Sequence, residues 1–154
     1  MDSLKKVMLE FLSYLKKERG FSNHTIKAYQ TDLNRFILFL TQEENISNFK
    51  AVTRHTIRNY LGTEFDQGFS SKTVARRLAS IKSLFKYLMR SEQISDNPAI
   101  HVKSPKISQT LPNFIDEKVI DILMESPDVS TSKGMRDRAI LELFYSTGIR
   151  LSEL

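Results

Sequence analysis

Apolar side chains in this chain return every three or four residues, and no stretch alternates strictly between apolar and polar. That pattern restricts the fold to helices packed through one face. Leu4, Val7, Met8, Phe11, Leu12 and Leu15 form the first stripe, over roughly Ser3 to Arg19, and Gly20 stops it. Ser22 offers a side-chain oxygen to the free amides of a second helix, with Ile26, Tyr29, Leu33, Phe36, Ile37 and Leu40 inward. The polar cluster Thr41 to Asn48 ends it. Thr53 caps a third helix, with Ile57, Tyr60, Leu61 and Phe65 inward and Gly68 as terminator; a fourth runs from Ser70 or Ser71 to about Met89 and buries Val74, Leu78, Ile81, Phe85 and Leu88. Four amphipathic helices with short connections predict an all-α domain over residues 1–90.

The texture changes after Arg90. Residues 91–112 contain Pro98, Pro105 and Pro112 and few periodic apolar positions, which reads as an extended linker. The helical pattern resumes beyond it. Asp116 caps a short helix holding Val119, Ile122 and Leu123, which Pro127 helps end, and another runs from about Gly134 to Ser146 with Ala139, Ile140, Leu143 and Phe144. Gly148 breaks that helix, and Ile149 to Leu154 resembles the start of one more. Residues 113–154 therefore read as the first helices of a second domain.

Composition excludes several function classes. The longest apolar run, Phe36 to Leu40, is five residues, against the roughly 20 that a membrane span requires. The N-terminus mixes Lys and Glu with apolar residues and lacks a secretory signal, so a cytoplasmic location is the default expectation. Without cysteine there is no disulfide, thiolate metal site or cysteine nucleophile. His24, His55 and His101 are not at metal-ligand spacing, so neither a metal nor another cofactor is expected.

Charge is unevenly distributed. Residues 1–105 hold 17 Lys and Arg against 10 Asp and Glu, a net +7, whereas residues 106–154 hold 6 against 8, a net −2. From Ser70 to Arg90 there are six basic residues, Lys72, Arg76, Arg77, Lys82, Lys86 and Arg90, and no acid. An acid-free basic helix points to an anionic partner, most often nucleic acid. The alternative is an ordinary solvated helix face.

Several segments, in order and at matching separations, resemble the Xer-type tyrosine recombinases of the phage integrase superfamily. They are Phe11-Leu12-Ser13-Tyr14-Leu15 with Glu18-Arg19-Gly20; Ser22-Asn23-His24-Thr25-Ile26 with Ala28-Tyr29 and Asp32-Leu33; Ala75-Arg76-Arg77-Leu78-Ala79-Ser80-Ile81; Asp96-Asn97-Pro98-Ala99; Ser104-Pro105-Lys106; Leu111-Pro112; and Arg136-Asp137-Arg138-Ala139-Ile140-Leu141-Glu142. The most specific is Tyr145-Ser146-Thr147-Gly148-Ile149-Arg150-Leu151-Ser152-Glu153-Leu154. The resemblance implies a SAM-like core-binding domain of four to five helices on one face of duplex DNA, a linker crossing the DNA, and a catalytic domain on the other face. In that family a tyrosine hydroxyl attacks the scissile phosphate, giving a 3′-phosphotyrosine, and the enzyme works as a tetramer on two DNA sites without ATP or an obligatory metal.

By the same resemblance, Arg150 is the first of two catalytic arginines. Arginine suits the task because its planar fork donates paired hydrogen bonds to phosphate oxygens and stays protonated. Its place just after Gly148, at a helix start, also points local amides towards an anion. Glu153, three positions on, is the supporting carboxylate that orients Arg150 or a neighbouring group. The family's lysine, His-x-x-Arg pair, further His or Trp and nucleophilic tyrosine fall beyond residue 154, and none of Tyr14, Tyr29, Tyr60, Tyr87 and Tyr145 matches the nucleophile's motif. The chain alone is thus expected to bind DNA without cutting it. The expected DNA contacts are Lys72, Thr73, Arg76 and Arg77, followed by Thr25, Lys27, Lys82 and Lys103. Chromosome dimer resolution is the role the resemblance favours. Phage or transposon integration is the neighbouring one, and a non-catalytic DNA-binding module descended from a recombinase is the alternative from another class.

Overall fold

In a computed structural model, residues 2–108 and 114–153 are described. Among these residues six α-helices follow one another: α1 (Asp2–Lys17), α2 (Asn23–Gln42), α3 (Arg54–Asp66), α4 (Ser71–Arg90), α5 (Glu117–Glu125) and α6 (Ser132–Thr147), with 3-10 turns at Phe49–Ala51 and Leu151–Glu153. The described residues contain no strand, as the apolar periodicity requires. No described helix is long and apolar enough to cross a membrane.

The helix starts share one local chemistry. Ser22, Thr53 and Ser70 each accept a hydrogen bond from the amide three residues on, and each time that residue is a threonine whose hydroxyl lies against the cap oxygen (Thr25 at 2.9 Å, Thr56 at 3.0 Å, Thr73 at 3.1 Å). The repeated hydroxyl-x-x-Thr spacing satisfies amides that the first turn leaves without partners. It settles the start of α4 on a Ser70 cap. Asp116 and Thr131 cap α5 and α6, so α6 begins two residues earlier than Gly134.

The chain forms two compact units, Met1–Ser108 and Gln109–Leu154. In the first, α2 and α4 each pack against α1, α3 and one another. Phe11 and Leu12 of α1, Phe36 and Leu40 of α2, Ile57 and Tyr60 of α3, and Leu78, Ile81 and Phe85 of α4 are among its buried side chains. Phe36 meets Tyr60 at 5.0 Å between ring centroids, and Phe49 from the first 3-10 turn sets its edge on Phe85 at 6.0 Å. Leu84, outside the expected stripe, is buried as well, whereas Phe65 near the end of α3 is exposed.

The first compact unit runs past residue 90, where the helical pattern of the sequence stops, to Ser108. Ala99 and Val102 are buried in the core and Ile94 packs against it, while Asn97 Oδ1 accepts the Ala99 amide at 3.0 Å and shapes the turn. Ile94, Ala99 and Val102 are too far apart to register as a helical period, so their burial left no periodic signal. Leu111 and Pro112, which the sequence reading placed in the linker motif, lie outside the described residues.

In the second unit α5 packs on α6. Gly134 sits where the backbone of Asp128 passes so close to α6 that a β-carbon would collide with the Asp128 carbonyl. Gly148 closes α6 at φ +62°, a left-handed conformation that side-chain-bearing residues adopt at a cost. Val119, Ile122 and Leu123 lie on α5 as the helical spacing predicts and remain more than half exposed.

Candidate nucleic-acid interface and arginine motif

The acid-free helix α4 presents a periodic outer face. Lys72, Arg76, Ala79 and Lys86 are exposed on it, spaced by four, three and seven residues, opposite the buried Val74, Leu78, Ile81 and Phe85. Lys27 on α2 is exposed, and Lys82 is half-buried. Thr25 and Thr73 are half-buried, with their hydroxyls engaged in the caps of α2 and α4, so both stand at the helix starts as structural members.

The adjacent arginines of α4 have different surroundings. Arg76 donates from Nη1 to Asp32 Oδ2 at 2.5 Å while half of its side chain remains in solvent; the Asp32 side chain is 1% exposed. Ser80 Oγ donates to the same Asp32 oxygen at 3.0 Å. Arg77 instead is buried and ion-paired with Glu64 of α3, itself buried. Phe69 lies 4.0 Å from the Arg77 guanidinium and 4.5 Å from that of Arg35, and Arg35 Nε donates to Glu64 at 2.6 Å. Arg77 was expected to contact DNA. Its guanidinium is committed to α3 because a buried carboxylate such as Glu64 needs a charged partner, and only 9% of its side chain is exposed. Tyr60, packed within this region, is pushed from 10.0 to about 12: burial disfavours its phenolate, and the nearby Arg77 and Arg35 offset only part of that.

A second cationic feature escaped the sequence reading. Arg54 and Arg58 on α3 and Lys103 and Lys106 line an open groove of about 690 Å³, with Leu61, Phe65 and Val102 also in its lining. No carboxylate is among the described residues that line it. Lys103 alone was anticipated, since Arg54 and Arg58 lie outside the acid-free run and Lys106 follows it by sixteen residues. The only cue was an i, i+4 pair of arginines on one helix face.

In the second unit Arg150 and Glu153 are brought together. Arg150 donates its backbone N–H to Glu153 Oε2 at 2.9 Å and its Nη1 to Oε1 at 3.3 Å, so one carboxylate holds both main chain and guanidinium. Arg150 remains largely exposed. The expected helix start is instead the 3-10 turn Leu151–Glu153, and the Arg150 amide is occupied by Glu153 and not presented to an anion. Leu154, the last residue of the motif, lies outside the described residues.

An all-helical core with a cationic face along its fourth helix is of the SAM-like class. Residues 9–92 match the family described as phage integrase, N-terminal SAM-like domain, and the chain belongs to that family. It is also similar to tyrosine recombinases along nearly its whole length. It is 43% identical over 155 residues to tyrosine recombinase XerC of Myxococcus xanthus and 36% identical over 151 residues to tyrosine recombinase XerD of Staphylococcus haemolyticus, covering 100% and 98% of this chain and 51% of each relative. With XerC of Herpetosiphon aurantiacus it shares 40% identity over 146 residues, 94% of this chain and 47% of the relative. The chain spans about half the length of the curated relatives it matches.

Proposed function

We propose that this chain is the DNA-clamping portion of a site-specific tyrosine recombinase of the Xer type, which cuts and rejoins duplex DNA through a 3′-phosphotyrosine. The observation that carries the reading is the outer face of α4, where Lys72, Arg76 and Lys86 are exposed with no acid on the helix. Lys27 and the groove residues Arg54, Arg58, Lys103 and Lys106 extend the cationic surface available to phosphates. In the complete protein Arg150, oriented by Glu153, stabilises the negative charge that develops on the scissile phosphate, because a fixed guanidinium needs little reorganisation as that charge forms. The protein acts in the cytoplasm as a tetramer on two DNA sites, in chromosome dimer resolution, and needs no metal or other cofactor. The intact Arg150–Glu153 pair favours this over a module that has lost catalysis.

Filter binding of the 154-residue chain to a mixed-sequence duplex tests the clamp. The expected result is a log K that falls with log salt at a slope of about −0.9 per phosphate neutralised. Salt-independent affinity, or none, rejects it. With a nicked duplex the chain is expected to form no covalent adduct, since Tyr14, Tyr29 and Tyr87 pack against other aromatic rings of the first unit, Tyr60 is buried, and Tyr145 stands on α6 outside any nucleophile motif. A protein–DNA adduct resistant to denaturant would overturn that expectation.

A further inference from the structure

We infer that Asp32 is a positioning residue for DNA recognition: from within the α2–α4 packing it holds Arg76 so that the guanidinium meets paired acceptor atoms on the nucleic acid already oriented. The inference rests on the DNA-binding reading above and adds a residue of the wrong charge to it. Asp32 is almost wholly buried and Arg76 half exposed, with 2.5 Å between Oδ2 and Nη1. Ser80 Oγ, itself buried, fixes the same oxygen from the side at 3.0 Å, so the carboxylate cannot follow Arg76 into solvent. A guanidinium carries five N–H donors in a rigid plane. Holding one nitrogen inside leaves the rest of the fork for a ligand and lowers the rotamer freedom lost on binding. Ala28, one turn before Asp32, and Ala79, three residues after Arg76, are both small and exposed, so the helix surfaces beside the guanidinium are low. Arg77 provides the internal contrast: Glu64 draws it into the core, where its Nε lies 3.9 Å from Asp32 Oδ1, whereas the other Asp32 oxygen, Oδ2, holds the half-exposed Arg76 by one edge only. The acceptor pair is either two phosphate oxygens or the O6 and N7 edge of guanine, which present the same spacing to a fork.

The test turns on sign. Asp32→Asn makes the chain more basic by one charge, so attraction to a polyanion taken alone predicts tighter binding. Positioning predicts the reverse. Binding of the 154-residue chain to a mixed-sequence duplex should weaken about tenfold in Asp32→Asn, as in Arg76→Ala, and the double variant should be no weaker than Arg76→Ala. Thermal melts followed by circular dichroism establish that each variant is folded. Where Asp32→Asn does not fold, Ser80→Ala serves, with a smaller loss of about threefold that again vanishes in the Arg76→Ala background. A salt slope reduced by about one in Asp32→Asn and Arg76→Ala alike identifies phosphate as the ligand, whereas an unchanged slope with a loss confined to guanine-containing duplexes identifies the base edge. Tighter or unchanged binding by Asp32→Asn, or losses that add to that of Arg76→Ala, overturns the inference and leaves the DNA reading standing. No binding by the unaltered chain overturns both.

Discussion

The two units are built from the same kind of helix and treat apolar side chains in opposite ways. In the first, α1, α2, α3 and α4 surround Phe11, Phe36, Ile57 and Phe85 so completely that each is at most 1% exposed. In the second, α5 and α6 leave Val119 and Ile122 in water, and Gly134 is the one buried residue among those described. An amphipathic stripe contributes to stability only when another surface removes it from solvent. Four helices enclose a volume; two helices meet along one line. The stripe on α5 is as regular as that on α1, yet among the described residues only the α1 stripe is covered. Periodicity therefore reports which face of a helix would pack and not whether it does.

The contrast predicts graded effects. Phe85→Ala should destabilise the first unit by about 3–5 kcal/mol in urea unfolding, because it empties a filled core, while Ile122→Ala should change stability by less than about 0.5 kcal/mol. Equal effects from the two substitutions would erase the comparison. Next in size, Arg77→Ala should cost about 3 kcal/mol by leaving the buried Glu64 with Arg35 alone of its two arginine partners, whereas Lys72→Ala, on an exposed site of the same helix, should leave the melt unchanged and reduce the salt slope of DNA binding by about one. An unstable Lys72→Ala with normal DNA affinity would reverse the roles of the two residues.

A smaller effect follows from Tyr60. Its folded value of about 12 lies above the ordinary 10.0, so its contribution is fully present below pH 10 and is lost as pH rises from there through about 12. The loss should reach about 2 kcal/mol in the first unit. Tyr60→Phe should remove that alkaline limb with little change at neutral pH, since the buried hydroxyl has no hydrogen-bond partner to lose. Smallest of all, Ser70→Ala should cost about 1 kcal/mol by stripping the cap of α4. Ser71→Ala should cost almost nothing, which separates the two serines that the sequence left equivalent.

Helix starts were legible because a cap is a local event: Ser22, Thr53, Asp116 and the Gly148 break could each be read from a few neighbouring residues. Most of the core was legible for the same reason. The closing segment was not, because Ile94, Ala99 and Val102 acquire their burial from α-helices elsewhere in the chain and carry no period of their own. At the candidate interface, sequence separated the basic helix from the rest of the chain but could not separate Arg76 from Arg77. These neighbours share Asp32, which lies 2.5 Å from Arg76 Nη1 and 3.9 Å from Arg77 Nε, and differ through Glu64 on α3, which forms no motif with them.

Sequence alone thus determined the helical class, the order and ends of most helices, the location of excess positive charge, and the family motif ending in Arg150 and Glu153. Each depends on residues within a turn or two, or on their simple sum. Tertiary structure decided which apolar stripes are covered, that residues 91–102 close the core, and which of two adjacent arginines is buried. Burial and ion pairing are properties of the space between helices, and that space is set jointly by side chains far apart in the chain.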